Sequence, residues 1–127
     1  MESTIRDELA FSVLEIGNRY AVVKMHDGVE LDLVKHNELM ERIEERVNFP
    51  CVLILDDVNT YSITLDVLMA RREDRRICCF GVVAYRAVTR NIYRFAQDVI
   101  GKNTRFFPSR RQAVAQVEQM LTRYTAA

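Results

Sequence analysis

The chain of 127 residues lacks several features that would assign it to a special class of protein. No apolar run approaches the roughly 20 residues that a transmembrane helix needs, so we expect no membrane segment. The first ten residues contain three acids and no apolar stretch, which argues against a secretory signal. Cysteine is scarce and odd in number, and Cys51, Cys78 and Cys79 all fall in apolar runs. We therefore expect buried thiols in a cytoplasmic protein.

Complete motifs for chemistry are also missing. The sequence contains no G-x-G-x-x-G, P-loop or G-x-S-x-G motif. His26 and His36 have no acidic or thiol partner at ligand spacing, so we expect neither a catalytic triad nor a metal role for them. Cys78 and Cys79 are adjacent, which suits neither a C-x-x-C redox pair nor a zinc half-site, and in a strand they should point to opposite faces. These absences favour a protein that is not an enzyme and has no cofactor.

The chain has no net charge, but its charges are unevenly distributed. Residues 1–66 hold 14 acidic and 6 basic residues, whereas residues 67–127 hold 4 and 12. This asymmetry indicates either a partner surface or two halves whose charges mix on one folded surface. No linker, internal repeat or low-complexity segment divides the chain, so we predict a single domain over residues 1–127 with an ordered core of about 8–124.

Two continuous apolar runs dominate the sequence, at residues 51–55 and 77–83. Runs of this length and composition are typical of strands buried on both faces. Such strands imply a mainly parallel sheet with helices on each side. We therefore predict that the two runs are central, neighbouring strands of one sheet.

The remaining elements follow from turn residues and periodicity. Residues 10–16 and 20–26 predict an antiparallel hairpin around Gly17-Asn18-Arg19. Helical spacing predicts four helices, which begin at Asp32, Ser62, about Arg86 and Ser109. The second should bury Leu65, Leu68 and Met69, the third should end at Gly101, and a short strand should occupy 104–107. The predicted order is ββαβαβαβα, an α/β fold with a mixed sheet of about five strands and four helices.

Three segments carry a resemblance to a known family: GVELDL at 28–33, VLILDDVNTYS at 52–62 and GKNTRFFPSRRQAV at 101–114. Over about residues 8–122 the chain resembles the STAS-type anti-sigma-factor antagonists, and more closely a group of uncharacterised bacterial STAS-like proteins. The resemblance implies a STAS-like fold and a regulatory role through protein–protein contacts. In the antagonists a serine after the central strand, in an Asp-Ser-Ser/Thr-Gly loop, is phosphorylated to switch partner binding. The matching loop here, residues 59–64, lacks that Asp and Gly and offers Ser62 or Thr64.

Asp56 and Asp57 are the first candidates for chemistry, because paired carboxylates at the end of a buried strand can hold Mg²⁺ for phosphoryl transfer. The alternative is an ordinary strand end with one aspartate solvated and the other capping the loop. Ser62 is the second candidate. We expect its hydroxyl to cap the second helix and to stay unphosphorylated, because the two aspartates would repel a phosphate.

The last candidate is a row of cations on the third predicted helix. Arg86, Arg90 and Arg94 recur every fourth residue, so they share one helix face, and Lys102 and Arg105 extend the row. Such a face can bind an anion, a nucleotide or a protein, or it can simply be solvated. Zero net charge argues against nucleic acid. We predict a regulatory domain that binds a protein partner or forms a homodimer; the alternative is a small anion- or nucleotide-binding protein.

Overall fold

The computed structural model describes residues 4–56, 61–85 and 98–125. These residues form a mixed α/β fold around one main sheet. The strands are β1 (Ile5–Leu9), β2 (Ser12–Ile16), β3 (Tyr20–Met25), β4 (Glu30–Leu31), β5 (Cys51–Asp56), β6 (Ser62–Ile63), β7 (Ile77–Val83) and β8 (Thr104–Phe107). The main sheet has six strands in the order β1-β2-β3-β5-β7-β8, and β4 and β6 form a separate parallel pair. The first three strands are antiparallel, and β3, β5, β7 and β8 run parallel.

Four helices are bounded within the described residues: α1 (Leu33–Glu44), α2 (Leu65–Glu73), α3 (Arg110–Ala115) and α4 (Val117–Thr125). Residues 98–100 are also helical and end at Gly101, whose φ of 69° is the left-handed conformation predicted for a helix stop. The rest of the third predicted helix lies outside the described residues. No helix in the described parts of the chain is both long and apolar enough to cross a bilayer.

The prediction of two central strands is confirmed. β5 and β7 are parallel neighbours inside the main sheet, with Leu53 opposite Phe80 and Leu55 opposite Val82. Leu53 and Leu55 belong to the core on one face of the sheet, whereas Val52 and Ile54 belong to the core on the other. The continuous apolar run therefore serves two cores at once, because successive side chains of a strand alternate between faces.

The predicted hairpin is also confirmed, as β2 and β3, but a strand before it was missed. β1 pairs antiparallel with β2 and forms one edge of the sheet. Its sequence, IRDEL, carries three charges in five residues, and its exposed side includes Arg6 and Glu8. Charged edge strands resist pairing with other chains. Because three consecutive residues of β1 are charged, the segment lacks the alternation of apolar and polar residues from which a strand is predicted.

The start of α2 differs from the prediction. Ser62 does not cap the helix; it lies in β6, and Thr64 occupies the N-cap position. Residues Ser62 and Ile63 pair with Glu30 and Leu31 instead, so the helix begins two residues later than expected. The Thr64 amide, which a Ser62 cap could have bound, donates instead to the Leu31 carbonyl oxygen at 3.1 Å.

The face that α2 buries was also predicted wrongly. Leu65 is 65% exposed and Met69 is 40% exposed, whereas Val67 and Arg71 are fully buried and Leu68 is partly buried against the core. The Arg71 guanidinium lies 5.7 Å from the centre of the Phe80 ring. An arginine can bury its methylene groups and stack its guanidinium on an aromatic ring. A charged residue, Arg71, therefore lies on the buried face of α2.

The chain after β8 forms two short helices where one was predicted. Ser109 caps α3 as expected, since its hydroxyl oxygen accepts from the Gln112 amide at 3.2 Å. Gln116, with φ −98° and ψ 1°, then interrupts the helix. α3 and α4 cover the face of the sheet that carries Tyr20, Val22 and Ile54. The other face packs against α1 and α2.

The cysteine prediction needs one correction. Cys51 pairs with Ile77 and Val52 pairs with Cys79, so Cys78 is an extra residue in β7. This β-bulge directs both Cys78 and Cys79 to the core under α3 and α4, and not to opposite faces. Cys51 and Cys79 are buried as expected, and Cys78 is half-buried.

Candidate functional site

Three of the six large apolar side chains that are exposed in the described residues lie together near the beginnings of α1 and α2. Leu33 is the first residue of α1, Leu65 is the first residue of α2, and Met69 lies one turn further along α2. Together with Ala70 they line a surface groove of about 600 Å³. We call Leu33, Leu65, Met69 and Ala70 the apolar patch. First-turn helix positions normally carry polar residues, so leucine at both is a feature that folding alone does not require.

Two carboxylates border the apolar patch. Asp66 and Glu73 complete the lining of the groove, and no cation of the described residues lines it. Both carboxylate side chains belong to exposed residues of α2. The groove therefore presents apolar surface with negative charge at its edge.

The short β4–β6 pair holds the two helix starts together. Leu31 is fully buried, and its carbonyl oxygen accepts from the Thr64 amide at 3.1 Å and from the Thr64 hydroxyl at 3.3 Å. Asp32 then caps α1, where its carboxylate accepts from the Lys35 amide at 2.9 Å. That backbone hydrogen bond is the largest cause of a lowered pKa for Asp32. The hydrogen bonds of the segment GVELDL, residues 28–33, therefore hold the start of α1 next to the start of α2, with Leu33 near Leu65.

Ser62 and Thr64, the positions that correspond to the switch loop, lie immediately before the patch. Ser62 is exposed, and its amide donates to the Val29 carbonyl oxygen at 3.0 Å. The Thr64 hydroxyl is hydrogen-bonded to both Leu31 and Asp66. Of the two hydroxyls, that of Ser62 is the one on the surface.

Both carboxylate oxygens of Asp56 accept hydrogen bonds from protein groups. Asp56 is 4% exposed; one of its oxygens accepts from the Tyr85 hydroxyl at 3.0 Å, and the other accepts from Arg110 at 2.7 and 3.1 Å. Arg110 also donates to Glu15 at 2.6 Å. This network ties the end of β5 to β2 and to the start of α3. Asp57 lies outside the described residues.

A second surface cavity, of about 590 Å³, opens beside this network. It lies where Arg6, Val13 and Lys24 cover the antiparallel half of the sheet on the side of α3. Its charges are mixed, because Glu15 and Asp27 line it together with Arg6, Lys24 and Arg110. In the parts of the chain that the structure describes, no group of three or more His, Cys, Asp and Glu side chains is arranged to hold a metal ion.

The predicted row of cations is only partly described. Arg86, Arg90 and Arg94 lie outside the described residues. Lys102 is partly buried, donates through Nζ to the Asp74 carbonyl oxygen, and has a pKa lowered by that burial. The Arg105 guanidinium lies 5.3 Å from the centre of the Phe107 ring. Lys102 and Arg105 thus each have a contact within the fold.

The apolar patch was not predicted from the sequence, because Leu65 and Met69 were expected to lie in the core. An apolar residue at helical spacing reads the same whether it faces the core or a partner. In the structure Val67 and Arg71 occupy the opposite, buried side of α2. Reading an arginine as inward requires the Phe80 contact, which the sequence does not reveal.

Comparison with known proteins supports the fold. The chain is similar to an uncharacterised protein of the DUF3478 family with a SpoIIAA-like fold from Shewanella loihica PV-4. The TM-score is 0.55 at 12% identity, and the match covers 91% of this chain and 93% of that chain. Neither a protein-family model nor a curated protein matches the chain. The likeness shows that the chain has the SpoIIAA-like, or STAS-like, fold that its sequence predicts.

Proposed function

We propose that this chain is a non-catalytic STAS-like regulatory domain that binds a protein partner through the apolar patch. The observation that carries the proposal is the exposure of Leu33, Leu65 and Met69 side by side at two helix starts. Contiguous apolar surface bordered by polar residues marks interaction sites on soluble proteins. Fully burying one such side chain contributes about 1.5–3 kcal/mol, so three of them can form the centre of an interface.

The acidic border of the groove supports a basic partner. Asp66 and Glu73 give the groove negative charge, so the partner should present apolar side chains flanked by lysine or arginine. A second copy of this patch would bring the same carboxylates together, which disfavours a symmetric contact through it. The exposed Ser62 precedes the patch by three residues, so a phosphate there would add negative charge at its edge. We expect Ser62 to remain unphosphorylated, and mass spectrometry of protein from its native host tests this.

The proposal predicts a site-specific cross-link. A photoreactive benzophenone side chain in place of Met69 should capture one defined protein in the native host, and the same group in place of Glu118 on α4 should not. Glu118 is a matched control because it is exposed on a helix that covers the other face of the sheet. Leu65→Asp should abolish the cross-link while the folded content, followed by circular dichroism, stays unchanged. Equal labelling from both positions, or capture of this chain alone, would contradict the proposal.

Self-association through a different surface is the second part of the proposal. Glu38 and Glu41 are exposed on α1 and Glu45 is exposed at its C-cap, and the three carboxylates can face Arg86, Arg90 and Arg94 of a second copy. The excess of acids in the first half of the chain and of bases in the second supports such a contact between opposite charges. Two-fold dimers are the commonest oligomers of soluble proteins.

The dimer should loosen as salt rises above about 0.15 M, because screening weakens contacts between exposed charges. Sedimentation equilibrium at micromolar concentration should give twice the 14.8 kDa chain mass at low salt and a lower average mass at high salt. Arg90→Glu should reproduce the high-salt result at low salt. A monomer at low salt would remove this part of the proposal and leave the apolar patch unaffected.

A further inference from the structure

The three thiols of the chain lie at one end of the sheet, and two of them touch. The bulge in β7 turns Cys78 and Cys79 to the same side, where their sulfur atoms are 3.2 Å apart. Adjacent residues of a regular strand point to opposite faces, so this contact exists only because of the bulge.

The two sulfurs differ in exposure and in charge environment. Cys78 is half-buried, whereas Cys79 is buried. The Cys78 pKa is lowered, first by a hydrogen bond from the Cys79 thiol and then by the positive charges of Arg19 and Lys102. The same hydrogen bond and burial raise the Cys79 pKa. The reactive species of a cysteine is its thiolate, and both the lesser burial and the lowered pKa favour Cys78 as the nucleophile of the pair.

We propose that Cys78 and Cys79 form a thiol pair that is oxidised reversibly by hydroperoxides, with Cys78 attacking the peroxide and Cys79 resolving the product. This function is separate from partner binding at the apolar patch. It uses Cys78, the less deeply buried residue of the pair, as the entry point and the neighbouring Cys79 as the second reactant. Both groups stand in contact before any oxidant arrives.

The reaction balances with hydrogen peroxide as the oxidant. The Cys78 thiolate attacks one peroxide oxygen, the O–O bond breaks, and a sulfenic acid forms while hydroxide leaves. The Cys79 sulfur then attacks the Cys78 sulfur, an S–S bond forms, and the S–O bond breaks. The Cys79 proton leaves with the departing oxygen as water. Two thiols lose two electrons, and one peroxide becomes two waters.

A disulfide between adjacent residues is a labile product. Consecutive Cα atoms are about 3.8 Å apart, which is less than the roughly 4.4–6.8 Å found in ordinary disulfides. Bonds with such unfavourable geometry are easily reduced, and they are the ones used for regulation. Because β7 lies between β5 and β8, closing this bond would disturb the centre of the parallel sheet.

The chain is well suited to a direct test. Trypsin cleaves after Arg76 and Arg86, so Cys78 and Cys79 share the peptide 77–86, whereas Cys51 lies in the peptide 47–71. After treatment of the folded full-length chain with hydrogen peroxide, the peptide 77–86 should lose about 2 Da, the mass of two hydrogen atoms. Dithiothreitol should restore the original mass.

Variants separate the two roles. Cys78→Ser should abolish the mass loss, and Cys79→Ala should stop the reaction at a sulfenic acid on Cys78 that dimedone traps. Cys51→Ser is the matched control and should leave the mass loss unchanged. A cross-link between 47–71 and 77–86, a mass loss that requires urea, or faster labelling of Cys51 than of Cys78 by iodoacetamide would each overturn the proposal. Should Cys79→Ala fail to fold, the wild-type peptide mass and the Cys78→Ser variant still decide it.

Discussion

Leu53→Ala should destabilise the protein by about 2–5 kcal/mol. Leu53 is completely buried in β5, where it pairs with Ala21 of β3 and Phe80 of β7. Neighbouring strands on both sides prevent the backbone from collapsing into the space. The substitution therefore loses the burial of three methyl or methylene equivalents and also leaves a cavity.

Urea unfolding should show this as a lower midpoint with an unchanged slope, because the surface exposed on unfolding stays nearly the same. Leu65→Ala is the matched control. It removes the same atoms from a side chain that is 65% exposed, and it should change the free energy of unfolding by less than about 0.5 kcal/mol. A loss below about 1 kcal/mol for Leu53→Ala would show that β5 is not packed on both faces.

The central sheet could be predicted because its information is local. A strand buried on both faces is apolar at nearly every position, and among the described strands β5 and β7 carry such runs over five or more residues. Hairpin and cap residues act within a few positions of each other, so Gly17, Asp32 and Ser109 also gave correct boundaries. These features need no knowledge of the rest of the fold.

What the sequence missed depends on pairing between distant segments. The local sequence predicts that Ser62 caps a helix, whereas in the structure Ser62 pairs with Glu30 in the β4–β6 pair. Cys78 and Cys79 read as alternating until the register between β5 and β7 shows a bulge. In both cases a local rule was correct for an isolated element and was overridden by a partner strand more than twenty residues away.

The apolar patch follows the same logic. Leu65 and Met69 have the spacing of core residues, and only the burial of Val67 and Arg71 shows that α2 is turned the other way. A helix has room for one buried face of this width, so an inward arginine leaves an outward leucine. The candidate site is therefore a consequence of packing, and its residues were visible in the sequence but their direction was not.

The last prediction concerns a buried histidine whose protonation the fold opposes. His36 on α1 is 2% exposed, and its Nδ1 atom has no hydrogen-bond partner among the described residues. Burial lowers its pKa to about 4; the positive charges of Arg71 and Arg76 act in the same direction, and Asp74 opposes them. An unfolded chain has the ordinary histidine pKa of about 6.5, so the unfolded state binds a proton in a range where the native state does not.

Stability should therefore fall as pH falls from about 6.5 to about 4, by about 3 kcal/mol over the whole range. His36→Leu should remove this slope, because leucine fills a similar volume and cannot bind a proton. His26→Gln, which changes the other, exposed histidine, should leave the slope intact. Carboxylates whose pKa is lowered, such as Asp7, stabilise the folded state while they are ionised, and this stabilisation is lost only below about pH 4. That further loss of stability should occur in both variants. Chemical denaturation at intervals of half a pH unit between pH 4 and 7 measures the free energy of unfolding as a function of pH. If this free energy changes with pH equally in the wild type and in His36→Leu, His36 is protonated in the folded protein without loss of stability, and the prediction is wrong.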